Sequence, residues 1–264
     1  MSYSDEVKVG NRFAFGKNWS KYSRLLSDAK ILNAIESLKA MLGVDSLKGK
    51  TFLDVGCGSG LFSLAAVHLG AKVFSFDYDS DSVACTQRLK HKYFPDKDEW
   101  KIEIGSVLDK DYMISLGKFD IVYSWGVLHH TGDMANALTN VDYCVSVGGK
   151  LFIAIYNYQP FFSNYWKKVK ILYNKFVVLR PLIIFVHLIY PIAPSLLLKF
   201  VTKKNLVRGM NWWYDLLDWL GGYPFEVSKP EGIFEFYKHK GYMLIKLITV
   251  GGRLGCNEFV FQKY

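Results

Sequence analysis

The chain has 264 residues, half of them hydrophobic and 16% aromatic, so it can bury a large core and is not an intrinsically disordered protein. Its four cysteines include no C-x-x-C pair, which argues against a disulfide framework or a zinc site and favours reduced thiols. The formal net charge is +9, and the polar first ten residues lack the apolar core of a signal peptide. We therefore expect a cytoplasmic protein with one domain and an elaboration.

The first periodic segment predicts a helix from Tyr22 to Leu42, which Gly43 is suited to end. Strands and helices then alternate. The predicted strands are residues 51–55, 71–76, 100–104, 119–124 and 149–156. The predicted helices between them are residues 59–69, 80–93, 109–116 and 133–147. This alternation predicts an α/β fold with a doubly wound, mostly parallel sheet and a ligand at the carboxyl ends of its strands.

The alternation stops after Asn157 and returns near the C-terminus, where a helix over 229–240 precedes strands over 242–250 and 256–264. The glycine-rich turn between these two strands predicts an antiparallel final pair in a seven-stranded sheet. The interrupted stretch predicts a helical insertion after the fifth strand. The expected organisation is an N-terminal helical and aromatic segment (1–44), a core (45–157 and 223–264) and the insertion (158–222).

The segment TFLDVGCGSG combines an apolar strand with a glycine-rich turn into a helix. Gly56, Gly58 and Gly60 allow a sharp turn and the close approach of a ligand to the backbone. Asp77 follows at the end of the second strand, where a carboxylate can accept hydrogen bonds from both hydroxyls of a ribose. The spacing is not the G-x-G-x-x-G of dinucleotide enzymes, and Asp54 would repel a pyrophosphate. The pattern favours S-adenosylmethionine, which has no phosphate; a glycine turn without a ligand is the alternative.

The motifs along the chain resemble those of the class I S-adenosylmethionine-dependent methyltransferases. LDVGCGSG resembles the cofactor loop, FDYD the ribose-binding acid, FDIVYSWGVLHHTGD the fourth-strand motif and GGKLFIAIYN the fifth strand. The two ends of the chain resemble a bacterial subgroup associated with surface-glycan biosynthesis. Ser106 stands where many relatives have an acid. The resemblance implies these cofactor-binding residues: Asp54, Gly56, Gly58, Gly60, Asp77, Tyr78, Ser106, Val107, Ser124 and Trp125.

His129 and His130 follow the fourth strand at the carboxyl-end rim of the sheet. Histidine titrates near neutrality and is the most frequent general base. In some relatives the histidine after Val-Leu faces the methyl site, so His129 is the favoured base and His130 the second candidate. Alternatively, one histidine caps the next helix and the other packs against the cofactor. Because no H-x-x-x-H motif or His/Cys cluster is present, we predict no metal ligands and a metal-independent reaction.

Two aromatic segments are candidates for substrate binding. The N-terminal FAFGKNWSKY is either a lid over the cofactor or packing for the first helix. The later MNWWYDLLDWLGGYPF combines rings with carboxylates, as in a pocket for a sugar or a flat ligand, or else is an amphipathic docking helix. The predicted substrate-binding residues are Trp19, Tyr22, Tyr156, Trp213 and Asp215.

The insertion is basic and apolar. Between Pro160 and Met210 there are nine Lys or Arg and no Asp or Glu. The stretch LIIFVHLIYPIAPSLLL has no formal charge, but its prolines argue against a membrane-spanning helix. The insertion therefore predicts either peripheral membrane contact through residues 167–204, or a buried cap or homodimer interface.

These features together predict a methyltransferase that acts on an oxygen of a small molecule or a glycan, lipid-linked glycans included. A quinol or lipid methyltransferase and an RNA methyltransferase are alternative enzymes, although no RNA-binding module is recognisable and a nucleic-acid partner is disfavoured. A non-catalytic protein with the same fold is the remaining alternative.

Overall fold

The computed structural model describes residues 2–23, 26–96, 98–189 and 212–264. Its strands are β1 (Thr51–Val55), β2 (Lys72–Asp77), β3 (Trp100–Ile104), β4 (Phe119–Trp125), β5 (Val145–Tyr156), β6 (Tyr242–Ile248) and β7 (Cys256–Lys263). They form one seven-stranded sheet in the order β3-β2-β1-β4-β5-β7-β6. Neighbours are parallel except for β7, which runs antiparallel to both β5 and β6. The predicted sheet is confirmed.

The α-helices of the described residues lie on both faces of the sheet and beside the end where its parallel strands finish. They are α1 (Tyr3–Lys8), α2 (Phe15–Ser23), α3 (Asp28–Leu42), α4 (Leu61–His68), α5 (Ser80–Tyr93), α6 (Lys110–Ser115), α7 (Met134–Asp142), α8 (Pro160–Lys175), α9 (Arg180–Ile189), α10 (Trp212–Gly221) and α11 (Pro230–Lys238). Helices α3, α4 and α5 pack on one face around Phe52 and Trp100. Helices α6, α7 and α11 pack on the other face around Phe76 and Val122.

A third hydrophobic cluster joins the insertion to the carboxyl end of the sheet. Trp166 and Tyr173 of α8 pack with Leu216 and Leu220 of α10, and Phe13 of the N-terminal segment packs against them. The cluster therefore fixes the insertion and the N-terminal segment against each other beside the rim where the strands end.

Several predicted boundaries were wrong, among them the start of the fifth strand, which was predicted at residue 149 and lies at Val145. The single helix predicted over 22–42 is divided between α2 and α3, because Ser27 takes an extended conformation (φ −115°, ψ 160°) just before α3 begins. The helix predicted over 133–147 ends at Asp142, since β5 begins at the β-branched Val145 and pairs with Phe119 before the turn at Gly148.

Candidate functional site

The glycine-rich turn after β1 depends on backbone conformations that other residues rarely adopt. Gly56, Gly58 and Gly60 have φ values of +78°, +55° and +78°. A Cβ at Gly56 would lie 2.4 Å from Val127 Cγ1, and one at Gly58 would lie 3.2 Å from the indole nitrogen of Trp19. The turn is therefore closely surrounded by the segment after β4 and by the N-terminal segment.

Asp77, at the end of β2, faces this turn. One carboxylate oxygen accepts a hydrogen bond from the Gly58 N–H (2.9 Å) and the other from the Asp79 N–H (2.9 Å). Burial raises the pKa of Asp77 to about 6, although both backbone hydrogen bonds oppose this shift. Each oxygen keeps a lone pair, so the carboxylate can still accept two hydroxyl hydrogens, as a ribose requires.

Asp54 lies deeper, at the end of β1. It is buried, and its carboxylate accepts a hydrogen bond from the Ser63 hydroxyl. Ser63 in turn contacts the Ser75 hydroxyl (2.8 Å), which accepts from the Trp100 indole N–H (2.9 Å). This chain of hydrogen bonds holds a negative charge behind the turn, where it favours a cationic ligand and disfavours a phosphate.

The turn and Asp77 form one end of a cavity of about 1160 Å³. Eight of the ten predicted cofactor residues line this cavity: Asp54, Gly56, Gly58, Asp77, Tyr78, Ser106, Val107 and Trp125. The other two are structural neighbours. Gly60 is the N-cap residue of α4, and the buried Ser124 donates its hydroxyl hydrogen to the Val55 carbonyl (3.0 Å), joining β4 to β1. We refer to this part of the cavity as the glycine-loop end.

The two histidines lie in a short 3-10 turn (Leu128–His130) and have different surroundings. His129 is fully buried, and its Nδ1 accepts a hydrogen bond from the Tyr156 N–H (3.3 Å). Its Nε2 has no hydrogen-bond partner among the described residues. Burial, then repulsion from Lys170 and from the adjacent His130 whenever that ring is protonated, hold the pKa of His129 well below its ordinary value. Although His129 is the favoured base in the sequence, it does not belong to the cavity wall.

His130 does line the cavity. Its Nδ1 lies 2.6 Å from the Pro224 carbonyl oxygen, which can only accept, so Nδ1 carries the hydrogen and Nε2 has the lone pair. Burial lowers the pKa of His130 to about 3, with Lys170 and Arg12 contributing in the same direction. The imidazole is therefore neutral at pH 7 and has one nitrogen free to accept a proton.

The N-terminal segment closes over the glycine-loop end through contacts with three other parts of the chain. The Asp79 carboxylate accepts hydrogen bonds from the Tyr3 hydroxyl (2.5 Å) and the Gly16 N–H (2.7 Å). Arg12 donates to the His130 carbonyl (2.9 Å) and to the Thr131 carbonyl (3.0 Å). The segment therefore has the position expected of a lid, with the predicted Trp19 against the loop.

The opposite part of the cavity, which we call the β7 end, combines aromatic rings with acidic groups. Tyr156 and Trp219 meet edge to face at 5.4 Å. Asp218 accepts a hydrogen bond from the Asn18 amide (2.7 Å). Glu258, on β7, lines the same cavity, and its carboxylate has no hydrogen bond or ion pair with any described residue. Lys30 of α3 also lines the cavity and contributes a basic group to it.

Sequence reasoning missed several of these residues. Arg12 and Lys30 belong to no motif, and nothing local marks them. Glu258 interrupts the apolar pattern of β7, where it pairs with Ala154 of β5, and this interruption is a signal for a cavity-facing position. The side chains of the predicted Tyr22, Trp213 and Asp215 lie outside the described residues.

The described residues contain no group of three or more His, Cys, Asp or Glu side chains arranged to hold a metal ion. The four cysteines, all within the described ranges, are free thiols.

A methyltransferase-domain family model matches residues 53–151. The ubiquinone biosynthesis O-methyltransferase of Pseudomonas paraeruginosa is 30% identical over 163 residues, which cover 61% of this chain and 67% of that protein. The ribosomal protein L11 methyltransferase of Helicobacter hepaticus is 37% identical over 30% of this chain, and the tRNA U34 carboxymethyltransferase of Pseudomonas syringae pv. syringae is 33% identical over 40% of it. This chain spans only 21% and 32% of the length of those two relatives.

Solved structures share the fold at low sequence identity. The magnesium protoporphyrin IX methyltransferase of Synechocystis PCC 6803, crystallised with SAH, has a TM-score of 0.53 at 13% identity and covers 89% of this chain and 82% of its own. A [4+2]-cyclase has a TM-score of 0.55 at 11% identity, covering 87% and 79%. Because these two neighbours differ in their named reactions, the fold alone does not identify the acceptor.

Proposed function

Because the chain belongs to the class I S-adenosylmethionine-dependent methyltransferases, we propose that it methylates a hydroxyl oxygen of a small-molecule or glycan acceptor, with His130 as the proton acceptor. S-adenosylmethionine supplies the electrophilic methyl group. The glycine loop and Asp77 would hold it, with Asp77 able to accept from the ribose hydroxyls and the Asp54 charge behind the loop favouring its cationic groups.

The hydrogen bond from His130 Nδ1 to the Pro224 carbonyl is the observation that carries this proposal. It fixes the ring so that Nε2 is the acceptor, on a residue whose side chain shares a cavity with the glycine loop. A pKa of about 3 makes His130 a weak base in the resting state. A weak base is sufficient here, because the hydroxyl hydrogen becomes strongly acidic as the oxygen forms its new bond to carbon. Most of the rate then comes from positioning the two reactants.

The β7 end supports a polyhydroxylated acceptor. The Glu258 and Asp218 carboxylates can accept hydrogen bonds from hydroxyl groups, and the rings of Tyr156 and Trp219 can pack on the apolar face of a sugar. Burying such acids without a ligand that donates hydrogen bonds is unfavourable, so an entirely apolar acceptor would leave Glu258 unsatisfied.

The test is transfer of labelled methyl by the purified protein, first into fractions of its host's metabolites, then into the acceptor that these identify. His130→Asn keeps a donor near the Nδ1 position for Pro224 but removes the base. We expect turnover to fall by about 10²-fold or more while cofactor affinity changes little, which is the range for losing a general base.

The matched control is His129→Asn, which keeps an acceptor for the Tyr156 N–H. We expect its turnover to stay within a few-fold of wild type. If His129→Asn loses turnover and His130→Asn does not, the base is His129. If both variants lose turnover only in proportion to cofactor affinity, neither histidine accepts the proton.

A lipid-soluble phenol is a second candidate acceptor. Phe62, Phe152 and Leu254 contribute apolar surface to the same cavity, and one relative is named for ubiquinone biosynthesis. Glu258→Gln separates the two candidates. It should raise the KM for a sugar hydroxyl acceptor by about tenfold, which is the value of a hydrogen bond to a charged group. It should leave the KM for a phenol acceptor unchanged.

A further inference from the structure

The corner between α8 and α9 exposes large apolar side chains. Val178 is 91% exposed, Val177 62%, Phe185 61% and Leu182 58%. We define the α8–α9 corner surface by the following residues, all exposed: Phe176, Val177, Val178, Leu182, Phe185 and Leu188. Contiguous exposed apolar patches of this kind are uncommon on soluble monomers and mark interaction sites.

Both helices already pack against a hydrophobic core, so the exposed side chains are additional to those that hold the helices in place. The inner face of α8 buries Trp166 and Tyr173 in the third hydrophobic cluster, and Ile183 and Ile184 of α9 pack against the same cluster. Helix α9 is therefore apolar on its outer face as well as on its inner face. Apolar side chains on the outer face of a helix favour an apolar environment on the side that the described residues leave uncovered.

The charge around this surface has one sign. Residues 160–189 contain no Asp or Glu. Lys167, Lys168 and Lys175 are exposed on α8, and Lys175 directly precedes the surface. Exposed apolar side chains bordered by lysines match a bilayer with anionic headgroups, in which the apolar groups enter the interface and the lysines meet the phosphates. A two-fold contact with a second copy would instead bring like charges together.

The geometry fits attachment to a bilayer rather than crossing it. Among the described residues, no single helix is long and apolar enough to span a membrane. The segments Pro160–Lys175 and Val177–Leu188 satisfy the length and composition criteria only as a pair, and they are bent by 114°. Helix α9 has ten residues, about 15 Å, against a hydrocarbon core of about 30 Å. The bend makes the corner project, so it can enter the headgroup region without unfolding.

We propose that the α8–α9 corner surface docks the protein on anionic lipid bilayers. The opposite face of α8 carries the buried Lys170, whose ammonium group donates to the carbonyl of Trp219 in the cavity wall. Docking therefore orients the β7 end of the cavity relative to the bilayer through a direct contact between α8 and α10. The inference is independent of the acceptor, because it depends only on an exposed surface outside the cavity.

Vesicle flotation of the full chain tests this. We expect binding to phosphatidylglycerol-containing phosphatidylcholine vesicles, at least about tenfold weaker binding to pure phosphatidylcholine, and weakening at high salt. The double variant Val178→Ser/Phe185→Ser should reduce binding about tenfold or more. Lys167→Gln/Lys168→Gln should bind more weakly and depend less on salt than the wild type.

The matched controls are Val147→Ser, which is 81% exposed on β5, and Lys101→Gln, which is exposed on β3; both should bind as wild type. Cofactor affinity and melting temperature should be unchanged in every variant, since all the altered side chains are exposed. Absence of wild-type binding to anionic vesicles overturns the proposal, and so does equal binding by the Val178→Ser/Phe185→Ser variant. A dimer in sedimentation that this variant dissociates, without vesicle binding, assigns the surface to a second copy instead.

Discussion

The two ends of the cavity are constructed differently. At the glycine-loop end, the turn after β1 and Asp77 after β2 are close in sequence, and backbone groups make most of the contacts. At the β7 end, Tyr156, Asp218 and Glu258 come from three distant elements and contribute through side chains. The first end therefore depends on backbone conformations that local sequence specifies, and the second on how α10 and the sheet assemble.

The largest expected effect tests the backbone character of the glycine-loop end. Gly56→Ala adds a Cβ 2.4 Å from Val127 at a φ of +78°. We expect the added methyl group to make the loop conformation that binds the cofactor less favourable by about 1 to 3 kcal/mol. This cost corresponds to a loss of cofactor affinity of about 5- to 150-fold. Calorimetric titration with S-adenosylmethionine measures it.

Gly43→Ala is the control for backbone strain alone, because Gly43 has a φ of +64° but no atom within 4 Å of the added Cβ. It should leave cofactor affinity unchanged. Combining Gly56→Ala with Val127→Ala should recover part of the loss, since the closest atoms are the Val127 methyl groups. If Gly43→Ala and Gly56→Ala weaken binding equally, the close approach of Val127 is not the cause.

A smaller effect concerns the N-terminal segment, which joins the two ends. Arg12→Met removes the charge-assisted hydrogen bonds to the His130 and Thr131 carbonyls, and with them the ion pair with Glu6 and the cation–π contact with the Tyr78 ring. We expect about a tenfold loss in cofactor affinity, from the value of hydrogen bonds to charged groups. With cofactor present, a protease should also cleave residues 2–22 faster in the Arg12→Met variant than in the wild type. Lys17→Met, an exposed position on α2, is the control. Unchanged cleavage in Arg12→Met would contradict the lid.

The contrast between the two ends also explains what could be predicted from the sequence. The sheet could be predicted from apolar runs and glycine turns, and the place of Asp77 beside the glycine turn could be predicted from its position after the second strand. Which histidine faces the cavity did not follow, because His129 and His130 are adjacent in one short turn. Their orientations depend on Tyr156 and Pro224, which are 27 and 94 residues away.

The break before α3 was missed for a related reason. Apolar residues keep the helical period through it, while Ser27 adopts the extended conformation. Arg12 could not be identified from the sequence, because the contacts that place it at the cavity are with backbone carbonyls more than 100 residues away; its ion pair with Glu6 is local and gives no sign of the cavity. Local patterns predict local geometry, and contacts of this range require the assembled fold.

The smallest expected effect is the pH dependence of cofactor binding at Asp77, whose pKa burial raises to about 6. The neighbouring Asp79 charge acts in the same direction, and Arg12 opposes it. Only the ionised carboxylate offers acceptors on both oxygens, so affinity should fall as pH falls through 6, by about fourfold between pH 7 and 5.5. His130 stays neutral across this range, since its pKa is lowered to about 3. In Asp77→Asn the profile should be flat and the affinity low throughout. A wild-type affinity that is constant from pH 7 to 5.5 would mean that Asp77 stays ionised throughout this range.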